Sequence, residues 1–321
     1  MSEAPRPRRA WLAWTLYGFA CIAALAIGAA GGWLSRSPLL ADAVSNTVKD
    51  AVGLKRENPF EATSDLTLLV LGCDADYTRG GKRVVRKYAR SDMIMVVRLD
   101  LVTKQVSGVS IPRDTLVAAG GRGEQKINAY HSFGGPELAQ EAVEALLPGV
   151  GIDRVIVLDF DAFQEMVDIA GGVEIDVQKR MRWTDKAAKL KIDLKPGLQT
   201  LNGYDAMGFV RYRHTDSDMH RMERQRQFML AFKSAVFSNP LRIPDIANKA
   251  VEVLNGSLNN EEILSLAEFT KELPDDSIKI GTLPTVDAGS YNLRVDSTKL
   301  QETLEEFGLV PTTPSVARAE P

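Results

Sequence analysis

The sequence predicts an α/β fold, an α-β-α sandwich with a central mixed β-sheet flanked by helices and preceded by one N-terminal transmembrane helix. Short aliphatic and β-branched runs alternate with segments of helical periodicity, which predicts the sandwich. Several of these runs are apolar at both alternations, as in strands that are covered on both faces. An uncharged N-terminal run predicts the membrane helix.

The N-terminal run Trp11–Leu34 contains no Asp, Glu, Lys or Arg and is long enough to span about 30 Å of hydrocarbon as a helix. Three arginines in the first nine residues favour a cytoplasmic N-terminus, so the rest of the chain is expected outside the cytoplasmic membrane. A cleaved signal peptide is the alternative. The predicted organisation is a cytoplasmic N-terminus (1–10), a transmembrane helix (11–34), a tether (35–62), one extracytoplasmic domain (63–310) and a disordered tail (311–321).

The folded domain is predicted to begin with strands and to continue as a strand and helix mixture. The predicted strands are Asp65–Gly72, Asp92–Asp100, Gln105–Pro112, Asp153–Phe160 and Ser277–Pro284, with shorter candidates at Gly171–Val177 and Met207–Arg213. The predicted helices are Pro136–Leu147, Ala162–Ala170, a longer one from Asp218 onward, Ile243–Leu254, Glu261–Leu273 and Ser297–Phe307.

Composition and motif content exclude several function classes. The 321 residues are 45% hydrophobic and 25% charged, and the net charge of -3 argues against a dedicated nucleic-acid binder. Cys21 lies in the apolar run, which leaves Cys73 without a partner for an intramolecular disulfide. The sequence has no G-x-S-x-G elbow, no P-loop and no H-E-x-x-H motif, so a hydrolase triad, a nucleotide loop and a zinc protease are unsupported.

Charged residues gather at the end of the first strand and the start of the second. Asp74 follows the first strand, and Arg90 and Asp92 open the second. Adjacent strands could place the two aspartates side by side, where they would repel unless a cation lies between them, and oxygen-only ligation suits Mg²⁺. The alternative, that both aspartates cap turns, is equally compatible with the spacing.

Two further cationic positions follow predicted elements. Arg113 comes directly after an apolar strand, where α/β proteins place ligand-binding groups. The alternative, a structural pair of Arg113 with Asp114, is favoured when these residues are taken by themselves. Lys126 precedes a Gly-Gly turn and a helix, which by itself is a weak signal.

The stretch Phe209–Gln227 holds five arginines. Its first part is predicted to be a strand on which Arg211 and Arg213 point to the same face. A helix starting near Asp218 then carries Arg221 and Gln225 on one stripe, with Arg224 beside it. Arginine forks from a strand end and a helix start would form a pocket for a pyrophosphate, whereas the alternative is a salt-bridged solvent face.

The ordered motifs "LGCDAD", "ARSDMIMVVRLD", "VSGVSIPRDT", "KINAYHSFGGPELAQEAVEALL" and "LNGYDAMGFVRYRHTDSDMHRMERQRQ" resemble those of the LytR-CpsA-Psr family. The resemblance runs from about Asp65 to Phe237, and the ordered set is far more specific than any one motif. It implies a membrane-anchored, extracytoplasmic phosphotransferase that moves a glycopolymer from a polyprenyl pyrophosphate carrier to a cell-wall hydroxyl, in peptidoglycan above all.

The resemblance also implies roles for individual residues. Asp74 and Asp92 correspond to metal-binding aspartates for Mg²⁺, or Mn²⁺ in its place. The expected catalytic residues are Arg113, Arg213, Asp218 and Arg221, with Asp218 deprotonating the acceptor hydroxyl or orienting an arginine. The expected pyrophosphate-binding residues are Arg90, Arg113, Lys126, Arg211, Arg213, Arg221 and Gln225.

The implied partners are the lipid-linked glycopolymer, the wall acceptor and the membrane, with no nucleic acid. A long basic loop between Asp74 and Arg90 departs from the family pattern and could contact lipid headgroups or an acidic polymer. Two alternatives remain open: a phosphohydrolase in which water replaces the hydroxyl, and a non-enzymatic lipid- or wall-binding anchor.

Overall fold

The computed structural model describes residues 59–60, 63–73, 88–185, 190–212, 218–254 and 257–311, together with positions 37, 40, 42 and 44. The chain divides into two units, Met1–Arg56 and Glu57–Pro321, and all elements below belong to the second. The predicted transmembrane segment and disordered tail lie outside the described residues. Within the described part, no helix combines the length and the apolar character needed to cross a membrane.

The second unit alternates strands and helices along the chain, as the periodicity predicts. In chain order the elements are β1 (Asp65–Cys73), β2 (Ser91–Asp100), β3 (Gln105–Ser110), β4 (Leu116–Ala118), β5 (Glu124–Lys126), α1 (Ile127–Leu146), β6 (Arg154–Asp159), α2 (Phe160–Ala170), β7 (Val173–Val177), β8 (Met181–Asp185), β9 (Leu190–Leu194), β10 (Gly197–Leu201), α3 (Gly203–Arg211), α4 (Asp218–Ser238), α5 (Ile243–Leu254), α6 (Asn260–Glu272), β11 (Ile278–Thr282), β12 (Thr285–Gly289), β13 (Asn292–Val295) and α7 (Ser297–Glu306).

The central sheet has the strand order β11-β3-β2-β1-β6 and is mixed, which confirms the predicted sheet type. β2 is antiparallel to β1 and β3, whereas β6 is parallel to β1 and β11 is parallel to β3. The carboxyl ends of β1, β3, β6 and β11 therefore meet the start of β2 at one edge of the sheet. In α/β proteins, ligand-binding groups gather at this kind of edge.

Both faces of the sheet are covered, which confirms the three-layer arrangement. On one face, Leu69, Leu71 and Ile94 pack in a cluster that includes buried residues of α1 and α7. On the other face, Leu68 and Met95 pack in a cluster with buried residues of α6. Successive residues of β1 thus alternate between two cores, which explains why this strand is apolar at nearly every position.

A second, smaller layer packs beside the main sheet. β7 and β10 form one two-stranded sheet, β8 and β9 form another, and their buried faces join α2, α3 and α4 in a separate cluster. α3 begins at the cap residue Asn202, whose side chain accepts a hydrogen bond from the Asp205 amide at 2.8 Å. The backbone amide of Gly203 donates to Asp168 on α2 at 2.7 Å. α3 is therefore tied to α2 at its first turn.

One predicted strand is wrong. The segment Met207–Arg213 was expected to form a strand, but it is helical as far as Arg211. Polar and apolar residues alternate in "FVRYR" as in a strand, yet burial of Ala206 and Phe209 against α2 and β9 selects the helix. The helix predicted to begin at Pro136 is confirmed as the second of two helical segments in α1, because a kink at Gly135, with a φ of 78°, separates it from a first segment that begins at Ile127 and was not predicted.

We expect Gly203→Ala to destabilise the domain by about 1–3 kcal/mol, the usual range for overpacking. A Cβ at Gly203 would lie 2.2 Å from the backbone oxygen of Gln164, so α3 would have to move off α2. Chemical denaturation of the purified domain measures the change. Gly151→Ala is the matched control, because its added Cβ meets nothing within 4 Å; equal stability of the two variants would contradict the close approach.

Candidate functional site

The Asp92 carboxylate is the centre of a charged cluster at the strand-end edge of the sheet. Its side chain is 24% exposed. The Nη1 atom of Arg113 lies 3.1 Å from Asp92 Oδ1, and the Nη2 atom of Arg211 lies 3.7 Å from Asp92 Oδ2. One carboxylate thus lies between two guanidinium groups and compensates part of their mutual repulsion.

Strand register brings Arg113 to Asp92. Met95 on β2 pairs with Ser110 on β3, and the amide of Ile111 donates to the Ile94 carbonyl at 2.8 Å. Continuing the same antiparallel register places Arg113 opposite Asp92.

The turn that carries Arg113 is held by backbone and side-chain hydrogen bonds. The Thr115 hydroxyl donates to the Pro112 carbonyl at 2.7 Å. The Ile127 and Asn128 amides at the start of α1 donate to the carbonyls of Thr115 and Arg113. The first amides of α1 are therefore already used in fixing this turn rather than free to bind an anion.

Lys126 joins the cluster through Asp114. As the residue before α1, it directs its Nζ to Asp114 Oδ1 at 2.6 Å and to the backbone oxygen of Tyr291 at 3.0 Å. The other carboxylate oxygen of Asp114 lies 3.7 Å from the Nε atom of Arg113. Asp114 therefore bridges Arg113 and Lys126. The structural Arg113–Asp114 pair is thus present, and it belongs to the same charged cluster as the predicted ligand-binding residues.

Arg211 reaches the cluster from α3, where it is the last residue of the helix. Its guanidinium lies 4.3 Å from the ring centroid of Phe160, the first residue of α2. This cation–π contact orients the planar guanidinium group of Arg211. Phe160 was not among the predicted site residues, and its position directly after the aliphatic strand β6 was the signal for it.

Arg224 was expected beside the ligand stripe, but it is buried, with 6% exposure. Its Nε atom donates to the Phe209 carbonyl at 3.2 Å, its Nη2 atom donates to the Tyr212 carbonyl, and its guanidinium lies 5.6 Å from the Tyr212 ring centroid. Arg224 thus satisfies carbonyls at the end of α3 that the helix itself leaves open. Arg224 therefore has a positioning role: it fixes the chain at the end of α3.

Behind the cluster lies a buried pair of titratable groups. Burial, with the nearby carboxylates of Asp92 and Asp159, raises the pKa of the Cys73 thiol to about 12, so it is protonated and inert. The Nδ1 atom of His131 lies 3.4 Å from Cys73 Sγ and donates to the Ala89 carbonyl at 2.7 Å. Burial lowers the pKa of His131, while the Ala89 bond and the charge of Glu137 oppose that shift.

The structure brings four predicted site residues together: Asp92, Arg113, Lys126 and Arg211. Arg90 is exposed immediately before β2. Gln225 is half-buried on α4, and its buried Oε1 atom has no hydrogen-bond partner among the described residues.

The remaining predicted site residues lie wholly or partly outside the part of the chain that the structure describes. Asp218 and Arg221 belong to the first turns of α4, but their side chains lie outside the description, as do Asp74 and Arg213 entirely. The predicted basic loop before Tyr88 also lies outside the described residues.

The chemistry of the cluster is compatible with Mg²⁺. The described residues include no group of three or more His, Cys, Asp or Glu side chains that could hold a metal ion. Mg²⁺, however, commonly takes only one or two carboxylates and completes its shell with phosphate oxygens and water. Asp92 supplies such a carboxylate next to arginines that suit phosphate oxygens, so these residues fit a metal shared with a phosphorylated ligand.

A cationic cluster at the strand ends of an α/β sandwich defines a class of protein that binds multiply charged phosphate ligands. The family comparison specifies the class further. The LytR_cpsA_psr family model matches residues 39–307, and the chain belongs to that family.

Individual relatives agree with this assignment. The polyisoprenyl-teichoic acid–peptidoglycan teichoic acid transferase TagT of Bacillus subtilis (strain 168) is 30% identical over 298 residues, 91% of each chain. The crystal structure of B. subtilis TagV has a TM-score of 0.60 at 28% identity and covers 78% of this chain and 99% of that chain. YwtF (TagT) with bound octaprenyl pyrophosphate lipid has a TM-score of 0.56 at 26% identity, covering 79% and 92%.

We expect Arg224→Met to destabilise the domain by about 2–3 kcal/mol, because it leaves buried carbonyls without a donor. The stability of Arg224→Lys should fall between that of the wild type and that of Arg224→Met, since one ammonium group cannot reproduce the planar guanidinium fork. Thermal and denaturant unfolding measure both. Arg226→Met is the matched control, two residues further along the same helix. Arg226 pairs with exposed Glu223 at 3.0 Å, and loss of this pair should change the stability by no more than about 0.5 kcal/mol.

We expect the stability of the domain to fall as pH drops below about 6.5, the ordinary pKa of histidine. The folded pKa of His131 is lowered, so below that pH the unfolded chain binds more protons than the folded one and the free energy of unfolding decreases.

His131→Asn tests this expectation, because the asparagine amide can still donate to Ala89 but does not titrate near neutrality. The variant should lose part of the pH slope between about pH 6.5 and 5 while being less stable at pH 7. An unchanged slope in His131→Asn would exclude His131 as its source.

Proposed function

We propose that this chain transfers a glycopolymer from a polyprenyl pyrophosphate carrier to a peptidoglycan hydroxyl and forms a phosphodiester. The observation that carries the proposal is the convergence of Arg113, Arg211 and Lys126 around the carboxylates of Asp92 and Asp114. Three cations against two carboxylates leave net positive charge at an edge that suits a pyrophosphate. The relative with bound octaprenyl pyrophosphate lipid supports this choice of ligand.

The reaction requires one bond exchange at phosphorus. The acceptor hydroxyl oxygen attacks the phosphorus atom that bears the sugar, the bridging P–O bond of the pyrophosphate breaks, and polyprenyl phosphate leaves with the bonding electrons. The hydroxyl proton passes to a base, for which Asp218 at the first turn of α4 is our candidate.

The arginines stabilise this displacement by charge. Negative charge on the non-bridging oxygens and on the leaving phosphate is neutralised by Arg113, Arg211 and Lys126, whose positions the fold sets before the ligand arrives. We propose that Arg90, Arg213, Arg221 and Gln225 complete the pocket.

We propose that Asp92, together with Asp74, holds Mg²⁺, or Mn²⁺ in its place. When bound, the ion supplies further charge neutralisation for the pyrophosphate oxygens. In its absence the same carboxylate orients Arg113 and Arg211, so Asp92 also holds the arginine forks in place.

We propose further that Trp11–Leu34 anchors the protein in the cytoplasmic membrane with its N-terminus inside. The absence of charge over this run and the three preceding arginines support that orientation. An anchored enzyme would keep its catalytic domain close to a lipid-linked donor, whose polyprenyl chain is confined to the same membrane.

We expect Arg113→Ala and Arg211→Ala each to reduce polymer transfer at least about a hundredfold, because each removes a preorganised cation from the developing charge. The assay measures transfer of labelled lipid-linked polymer to peptidoglycan fragments, with and without a metal chelator and with Mg²⁺ or Mn²⁺ added back. Arg180→Ala is the matched control: Arg180 pairs with Asp193 at 2.7 Å on the β8–β9 side.

The same assay separates the alternatives. Phosphate or lipid phosphate release without polymer transfer would identify a phosphohydrolase, and ligand binding without turnover would identify an anchor. Wild-type turnover by both site variants would exclude the proposed site.

A further inference from the structure

The tip of the β12–β13 hairpin has an unusual backbone. Ser290 and Tyr291 form the two-residue connection between the paired residues Gly289 and Asn292, and both have positive φ angles, 54° and 60°. A two-residue type I′ turn requires this conformation and normally uses Asn-Gly, which adopts it without strain. A tyrosine with positive φ is uncommon, so the tip places a bulky aromatic residue where local preference opposes it.

The hairpin is fixed against the charged cluster. The Leu293 amide donates to the Asp114 carbonyl at 3.0 Å, and Arg294 forms a two-pronged ion pair with Glu124 at 2.5 and 2.7 Å. The backbone oxygen of Tyr291 accepts from Lys126 Nζ at 3.0 Å, and that same ammonium contacts Asp114. Tyr291 therefore stands at the rim of the cluster.

The Tyr291 side chain takes no part in folding. It is 94% exposed, so its ring buries almost no apolar surface against the domain. A single exposed aromatic residue on a surface needs no explanation in itself. Here, however, the strained backbone that carries the ring also accepts a hydrogen bond from Lys126, a residue that we place in the pyrophosphate site. Strained backbone clusters at ligand-binding positions.

We propose that Tyr291 forms a sugar subsite by stacking its ring on a pyranose next to the reacting phosphate. This inference rests on the proposed function. The donor's first sugar is esterified to the phosphate, and the acceptor's sugar carries the attacking hydroxyl, so both sugars come within a few bonds of the phosphorus atom. An aromatic ring offers an apolar face to the C–H face of a pyranose and leaves the sugar hydroxyls in water.

Two variants separate the ring from the turn. Tyr291→Asn removes the ring and supplies a residue that tolerates positive φ, so the hairpin should keep or gain stability. Tyr291→Phe keeps the ring and should recover most of the lost affinity. Val102→Asn is the matched control, because Val102 is a 73% exposed apolar residue in the β2–β3 turn at the opposite end of the sheet.

The transfer assay is run as two titrations, one of the lipid-linked donor and one of a peptidoglycan disaccharide acceptor. Tyr291→Asn should raise the KM for one of them about tenfold, the size expected for loss of one stacked ring, with a melting temperature that is unchanged or higher. The substrate whose KM changes identifies which sugar occupies the subsite. Calorimetry with bare octaprenyl pyrophosphate should give the wild-type Kd.

Three results would overturn the subsite: unchanged KM values for both substrates, weaker binding of bare octaprenyl pyrophosphate alone, or weaker binding to lipid vesicles alone. Weaker binding of bare octaprenyl pyrophosphate alone would mean that the hairpin tip acts only through Lys126. Weaker binding to lipid vesicles alone would mean that the ring contacts the membrane. If the wild-type protein transfers no polymer, the proposed function fails, and direct calorimetry of the disaccharide with wild type and Tyr291→Asn then decides the subsite independently.

Discussion

The placement of one carboxylate, Asp92, between two arginines is the constraint on which the site depends. Arg113 and Arg211 come from different elements, and without an anion between them their like charges would oppose a shared position. The position of Arg113 follows from the pairing of β2 with β3, which places Arg113 opposite Asp92. A shift of that register by one residue would turn the Asp92 carboxylate to the other face of the sheet and disassemble the cluster.

The second arginine depends on helix packing rather than on strand register. Arg211 reaches Asp92 for two reasons. The Gly203 amide ties α3 to Asp168 on α2, and the ring of Phe160 packs against the guanidinium group of Arg211. Buried Arg224 then holds the carbonyls at the end of α3. The main sheet and the smaller α2–α3–α4 layer therefore each supply part of the site, and neither supplies it alone.

Strands and helices with a clear period were predictable because periodicity is a local property that tertiary packing reinforces. β1, β2 and β6 are apolar on both alternations, and α5 shows an amphipathic pattern, so their bounds agree with the prediction within two residues. The helix at Gly203–Arg211 was missed because "FVRYR" also alternates. Asn202 followed by Asp205 is a helix-start pattern that could have indicated it.

The sequence by itself determined the inventory of the site: the family motifs, the order of the strands that carry them, and the arginines and aspartates at the strand ends. Only the tertiary structure decided which of these charges meet. Arg113 contacts Asp92, Arg224 is buried, and the backbone oxygen of Tyr291 accepts a hydrogen bond from Lys126. The physical reason is range: the period of a segment is set by neighbours along the chain, whereas an ion pair between distant residues is set by register and packing.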